Sequence, residues 1–250
     1  MSDHSSDLVE IFSSIQGEGL LVGMRQIFLR FHACNIDCAY CDTERNVFPE
    51  FCTMEGVPGR RNFNRVRNPI GLDRILALLD NWVNGWPGIH HSLSLTGGEP
   101  LLHHETLGGW LPLLKKRFPI YLETNGMLHR ALADLIDFID YVSMDIKLPS
   151  TSGHSELWDQ HHEFLKIAAR KNVFVKTVVN DMTEDWEIIK TAAIITSVNK
   201  DIPLILQPIT LPSGGVGISP LKTLEFQEVA SRYLTEVRVI PQTHKFLGQL

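Results

Sequence analysis

The sequence predicts an α/β chain, a partial βα barrel with mostly parallel strands, on three observations. Short apolar or β-branched runs alternate with helical stripes. Six or seven such units follow one another, which implies parallel pairing through crossovers. Three polar loops, two of them glycine-bearing, each follow a strand directly, at the end where such barrels keep their ligands.

The strands expected, in order, are "QIFLRF" at 26–31, "SLSLT" at 92–96, "PIYLET" at 119–124, "YVSMDI" at 141–146, "VFVKTVV" at 173–179, "PLILQPI" at 203–209 and "EVRVI" at 236–240. The first helix is read from Leu72, Ile75, Leu76, Leu79, Trp82 and Val83, which recur at helical spacing. Similar stripes cover about 129–138, 156–171, 184–199 and 220–234. No repeat, low-complexity tract or linker divides the chain, so 1–250 is expected to be one domain. Residues 44–69 show little periodicity and are expected to be an irregular, solvated insertion; their five arginines against three glutamates leave an anion or protein contact as the alternative.

A net charge of −6 offers no basic field for nucleic acid and favours a small substrate. No apolar run approaches the roughly 20 residues of a bilayer span, and the polar, acidic start "MSDHSSDLVE" is unlike a signal peptide. The expected compartment is the cytoplasm, where structural disulfides are disfavoured.

That expectation gives meaning to "FHACNIDCAYCDTE" at 31–44, which places three of the four cysteines, Cys34, Cys38 and Cys41, within a C-x3-C-x2-C spacing. A structural zinc site would need a fourth ligand, Cys52 or a nearby His. A 4Fe-4S cluster on three thiolates leaves one iron open to a small molecule carrying an amine and a carboxylate. Cys52 is then no ligand. On "IFLRFHAC", alternation puts Phe28, Arg30 and His32 on one face, and in a barrel lumen Arg30 would clamp a carboxylate. Ser143, Asp145 and Lys147 likewise share one face of "SMDIK", and Lys176 and Gln207 are polar residues in otherwise apolar strands.

The cysteine spacing with an aromatic at Tyr40, followed by Gly97-Gly98-Glu99-Pro100 after the next strand, resembles the radical S-adenosylmethionine (SAM) superfamily. "EIFSSIQGEGLLVGMRQIFLRFHACNIDCAYCDT", "SLTGGEPL", "YLETNG", "SMDIKLPS", "LQPIT" and "PQTHK" resemble its 7-carboxy-7-deazaguanine synthase family across residues 8–246. The resemblance implies a partial barrel of the radical SAM type, with Cys34, Cys38 and Cys41 holding a 4Fe-4S cluster whose electron cleaves SAM to methionine and a 5′-deoxyadenosyl radical. It implies SAM contacts at Tyr40, Cys41, Asp42, Gly98, Glu99, Thr124, Asn125, Ser143, Asp145, Lys147 and Gln207. Substrate contacts are implied at Ile15, Gln16, Gly17, Arg30 and Thr96, and a magnesium ion at Thr43. The implied reaction is ring contraction of 6-carboxy-5,6,7,8-tetrahydropterin with loss of ammonia. An electron donor such as flavodoxin or ferredoxin and a homodimer are further expectations, while the chain end lacks the proline the family suggests. Two other readings remain, a radical SAM activase making a glycyl radical on a protein partner and a non-enzymatic zinc-binding module.

Overall fold

The computed structural model describes residues 5–41, 48–154 and 157–250. The chain enters through β1 (Ser5–Ser6) and β2 (Leu8–Ile15), returns along β3 (Arg25–Phe31), and forms β4 (Phe51–Glu55) and β5 (Phe63–Arg67). The short β6 (Ile70–Gly71) pairs with β1 and leads into α1 (Leu72–Gly85). Strand and helix then alternate through β7 (Ser92–Gly97), α2 (His104–Leu114), β8 (Ile120–Thr124), α3 (His129–Leu135) and β9 (Tyr141–Asp145). After α4 (Pro149–Ser152) and α5 (Trp158–Ala168) come β10 (Asn172–Val179), α6 (Asp185–Val198), β11 (Leu204–Pro208), α7 (Pro220–Ser231), β12 (Val237–Val239) and α8 (Thr243–Phe246).

One ten-stranded sheet runs in the order β12-β11-β10-β9-β8-β7-β3-β2-β4-β5. From β3 through β7 to β12 every neighbour is parallel, as the alternation of elements requires. All seven expected strands are present.

Period-two alternation divides the two faces of this sheet. Leu122, Val175, Leu204 and Leu206 join the main core with α-helical residues such as Ile75, Leu79, Trp82, Phe164 and Ile188. On the opposite face Tyr121, Phe174 and Ile205 form a small separate apolar cluster. Two residues further along the same strands come Glu123, Lys176 and Gln207, which line an open cleft. The lumen thus has an apolar floor and a polar mouth.

Three regions depart from expectation. Residues 48–69, read as irregular, contain the antiparallel pair β4 and β5, and Glu10 and Ile11 of β2 join β4 to the main sheet. What orders this hairpin is tertiary: Glu55 is fully buried and accepts from Ser13 N at 2.9 Å and Arg61 N at 2.6 Å. Strand β2 was not anticipated because a bulge between Leu8 and Glu10 breaks its alternation. Helix α2 carries Gly108, Gly109 and Pro112, poor helix formers, yet buries Leu107, Trp110, Leu111 and Leu114. Among the described residues no helix is long and apolar enough to cross a membrane.

Candidate active site

The chain leaves β3 at Phe31 and passes directly into the cysteine loop, which is pressed against the Gly97-Gly98-Glu99 segment after β7. A Cβ on Gly97 would fall on the Phe31 carbonyl oxygen, and one on Gly98 on that of Ala33. The two glycines therefore allow one backbone to lie on another, and Gly97 also has φ +122°. Gly98 still lines the cleft.

Glu99 differs from expectation. It is fully buried, and its carboxylate accepts from Leu101 N at 3.1 Å, Asn125 N at 2.8 Å and the Thr124 hydroxyl at 3.0 Å. Burial pushes its carboxyl up, against these donors, to about 7. Its role in the structure is to tie the β7 loop to the β8 loop, and its side chain is not on the cleft wall.

Cys34, Cys38 and Cys41 all line the cleft, Cys38 buried and Cys41 exposed. Among the described residues no three His, Cys, Asp or Glu side chains are drawn to metal-binding spacing. Cys52 is fully buried in β4, off the cleft wall, and burial pushes its thiol up to about 12. Asn125 Nδ2 lies 3.7 Å from Cys34 Sγ and 2.7 Å from Asn35 Oδ1, so the β8 loop touches the first cysteine.

A chain of charges forms the far wall. Lys147 Nζ donates to Tyr40 Oη at 2.9 Å and to Asp145 Oδ2 at 2.7 Å. Lys176 approaches the same Asp145 oxygen at 3.5 Å and pairs with Glu18, which accepts from Gln242 Nε2 at 2.7 Å. Burial would lower both lysines, but the carboxylates facing them outweigh it and raise both. Burial would raise Glu18, yet the Lys176 charge and the bonds from Lys176 and Gln242 hold it at about 2. Ser143, Thr124 and Gln207 complete this wall.

On the near wall Arg30, facing the lumen as expected, donates through Nε to Glu10 at 2.6 Å. The two are cross-strand partners, so register sets the ion pair. Glu123, a residue the sequence did not single out, accepts from Gln16 Nε2 at 2.7 Å and from the Thr96 hydroxyl at 2.6 Å. Ile15, Gln16 and Gly17 line a side pocket that shares Glu18, Arg30, Thr96 and Glu123 with the main cleft. The carboxyl-terminal segment covers this pocket: His244 and Leu250 line it, and Thr243 N donates to the Gly17 carbonyl at 2.9 Å. Asp42 and Thr43 lie outside the described residues.

The residues present fit a cluster and SAM on two counts. Three thiols on one loop reach the cleft, which suits an iron–sulfur donor set with one open iron. Asp145 Oδ1 and Gln207 Oε1 are buried at the cleft wall without a hydrogen-bond partner among the described residues, acceptors to which a bound molecule could donate.

The radical SAM superfamily matches residues 29–183. A 7-carboxy-7-deazaguanine synthase of Geobacter sulfurreducens is 55% identical over 250 residues, covering 100% of both chains. The chain belongs to the radical SAM superfamily and, within it, to the 7-carboxy-7-deazaguanine synthase family. A synthase of Archaeoglobus fulgidus is 32% identical, covering 97% of this chain and 98% of that one. The crystal structure of QueE from Escherichia coli superposes with a TM-score of 0.62 at 23% identity, over 96% of this chain and 95% of that one. A radical SAM methyltransferase from Sphaerobacter thermophilus gives 0.57 at 13% identity, over 87% and 66% respectively. These two likenesses establish the radical SAM fold, a partial barrel with a mostly parallel sheet. Family membership over the full length leaves no support for the activase or zinc-module readings.

Proposed function

We propose that this chain catalyses the ring contraction of 6-carboxy-5,6,7,8-tetrahydropterin to 7-carboxy-7-deazaguanine with release of ammonia, in the formation of 7-deazapurines. The observation that carries this reading is the cleft itself, where the three-cysteine loop, Gly97, Gly98 and Arg30 share one mouth. The full-length identity to proteins named for that product supports it.

In this reading Cys34, Cys38 and Cys41 hold the 4Fe-4S cluster, which supplies the electron for reductive cleavage of SAM. Gly98, Thr124, Asn125, Ser143, Asp145, Lys147 and Gln207 bind SAM, with Tyr40, Cys41 and Asp42 beside the cluster. Asp145 and Gln207 offer acceptors to the SAM amine or ribose hydroxyls. Glu99 acts indirectly, by fixing Thr124 and Asn125.

Arg30 takes the substrate carboxylate. A guanidinium carries five N–H donors, so the bond to Glu10 does not exhaust it. Thr96 and Gln16 hold the Glu123 carboxylate in place at the border of cleft and side pocket, where it can accept from the polar edge of a pterin ring. Ile15, Gln16 and Gly17 shape that side. Thr43 holds a magnesium ion, which keeps open positions for substrate oxygens. The protein works in the cytoplasm as a homodimer and takes its electron from a flavodoxin or ferredoxin.

The test is anaerobic reconstitution with iron and sulfide, then incubation with the carboxytetrahydropterin, SAM, magnesium and a reductant. A product lighter than the substrate by one ammonia is expected. Cleavage of SAM without that product would sink the substrate assignment, and absence of a cluster would sink the whole reading.

A further inference from the structure

We infer that His103 is a positioning residue for the cysteine loop, acting through the carbonyl of His32; this deepens the proposed cluster site and rests on that reading. The chain turns between the last residue of β3 and the first cysteine, and Ala33 in that turn has φ +70°, a conformation side chains rarely adopt. Something must hold it there.

Three consecutive carbonyls of the turn are each held from the β7 side. Gly98 N donates to Phe31 O at 3.2 Å and Glu99 N to Ala33 O at 2.8 Å. Between them, His103 Nε2 reaches His32 O at 2.8 Å. A carbonyl oxygen only accepts, so Nε2 carries the proton. In the neutral ring Nδ1 is then an acceptor, and the Ser6 hydroxyl donates to it at 3.0 Å. The ring also lies against Phe31, centroids 5.1 Å apart and tilted by 37°.

"GGEPLLH" acquires a continuous physical meaning from these contacts. The glycines admit the approach of the two backbones, and Glu99 accepts from Leu101 N to cap the one-turn 3-10 helix Pro100–His103. That turn brings the imidazole back to His32. Without His103 the middle carbonyl has no donor from β7, and the strained Ala33 turn can relax, moving Cys34 relative to Cys38 and Cys41. Outer partners of metal ligands act in this way, by fixing the ligand's aim.

The experiment compares wild type with His103→Phe and His103→Gln, each reconstituted anaerobically. The readouts are the half-life of the 4Fe-4S absorbance under EDTA, the EPR spectrum of the reduced cluster with SAM, and the melting point of the metal-free chain. Phe keeps the ring against Phe31 but cannot donate, and Gln restores a donor and an acceptor. A half-life shortened roughly tenfold in His103→Phe, with an altered EPR spectrum, an unchanged metal-free melting point and recovery in His103→Gln, is expected. A His103→Phe cluster as durable as wild type overturns the inference, as does a shortened half-life that His103→Gln does not recover. If His103→Phe does not fold, Ser6→Ala decides: a shortened half-life supports the role and an unchanged one overturns it. The iron content of the wild type tests the functional reading separately.

Discussion

Lys176 in β10 and Glu18 in the loop after β2 form an ion pair between residues 158 positions apart in the chain. Both line the same cleft, and four strands lie between β10 and β2 in the sheet, so the pair draws the open barrel together across its mouth. Both side chains are largely buried, with relative exposures of 13% and 18%.

Removing one partner should therefore be costly. Glu18→Gln leaves a buried ammonium with only Asp145 opposite, at 3.5 Å, and should lower stability by on the order of 3 kcal/mol. The pH dependence has a definite sign. Glu18 is depressed from 4.5 to about 2 on folding, so its contribution is complete above about pH 4.5 and is lost as pH falls toward 2. Thermal melts of wild type and Glu18→Gln should converge over that window. A constant gap between them would remove Glu18 from the ion pair.

Iron content separates the cysteines. Single replacement of Cys34, Cys38 or Cys41 by Ala should abolish the cluster, whereas Cys52→Ala should retain it. Since Cys52 is fully buried in β4, its loss is expected only as about 1 kcal/mol of stability. A colourless, iron-free Cys52→Ala protein would overturn the three-thiolate arrangement.

Arg30→Lys keeps the charge but loses the planar fork. The Michaelis constant for the pterin should rise roughly tenfold, corresponding to about 1.4 kcal/mol, while SAM affinity stays as in the wild type. An unchanged Michaelis constant would confine Arg30 to its ion pair with Glu10.

These residues also mark what the sequence could convey. Arg30, Lys147, Gln207 and the cysteines were legible because each is a polar interruption of an apolar strand or a dense cluster beside one. Period-two alternation then assigns the face. Gln16 entered only through the resemblance and Glu18 not at all, because nothing local announces Lys176 or Glu123, their partners across the lumen. Glu99 was assigned to the right loop but the wrong direction, since the donors that capture it come from Thr124 and Asn125 on the next strand end. Helix α2 was hidden by glycines and a proline that only burial of Trp110 and its neighbours overrides.

Magnesium dependence is the prediction attached to Thr43. A hard cation beside the substrate carboxylate would offset charge during ring rearrangement, so rates in chelated buffer should rise on adding Mg²⁺. Thr43→Ala should weaken that response and leave iron content unchanged. A wild type indifferent to the metal would remove magnesium from the site.

The carboxyl-terminal segment can be tested through Gly17, whose missing side chain makes room for it. A Cβ at Gly17 would fall on the His244 ring, and both residues line the side pocket that borders Arg30 and Glu123. Gly17→Ala should push residues 243–250 off the pocket, raising the Michaelis constant for the pterin while the cluster remains, because none of the three cysteines lines that pocket. Removing the obstacle from the other side should reverse this: in Gly17→Ala/His244→Ala the new methyl occupies space the imidazole left. The double variant is therefore expected to bind substrate better than Gly17→Ala alone, a coupling of opposite sign to simple addition. Michaelis constants for wild type, both singles and the double form a complete cycle. A double variant as impaired as the sum of its singles would mean that the two residues act independently, and that the segment's seat on Gly17 does not shape the substrate pocket.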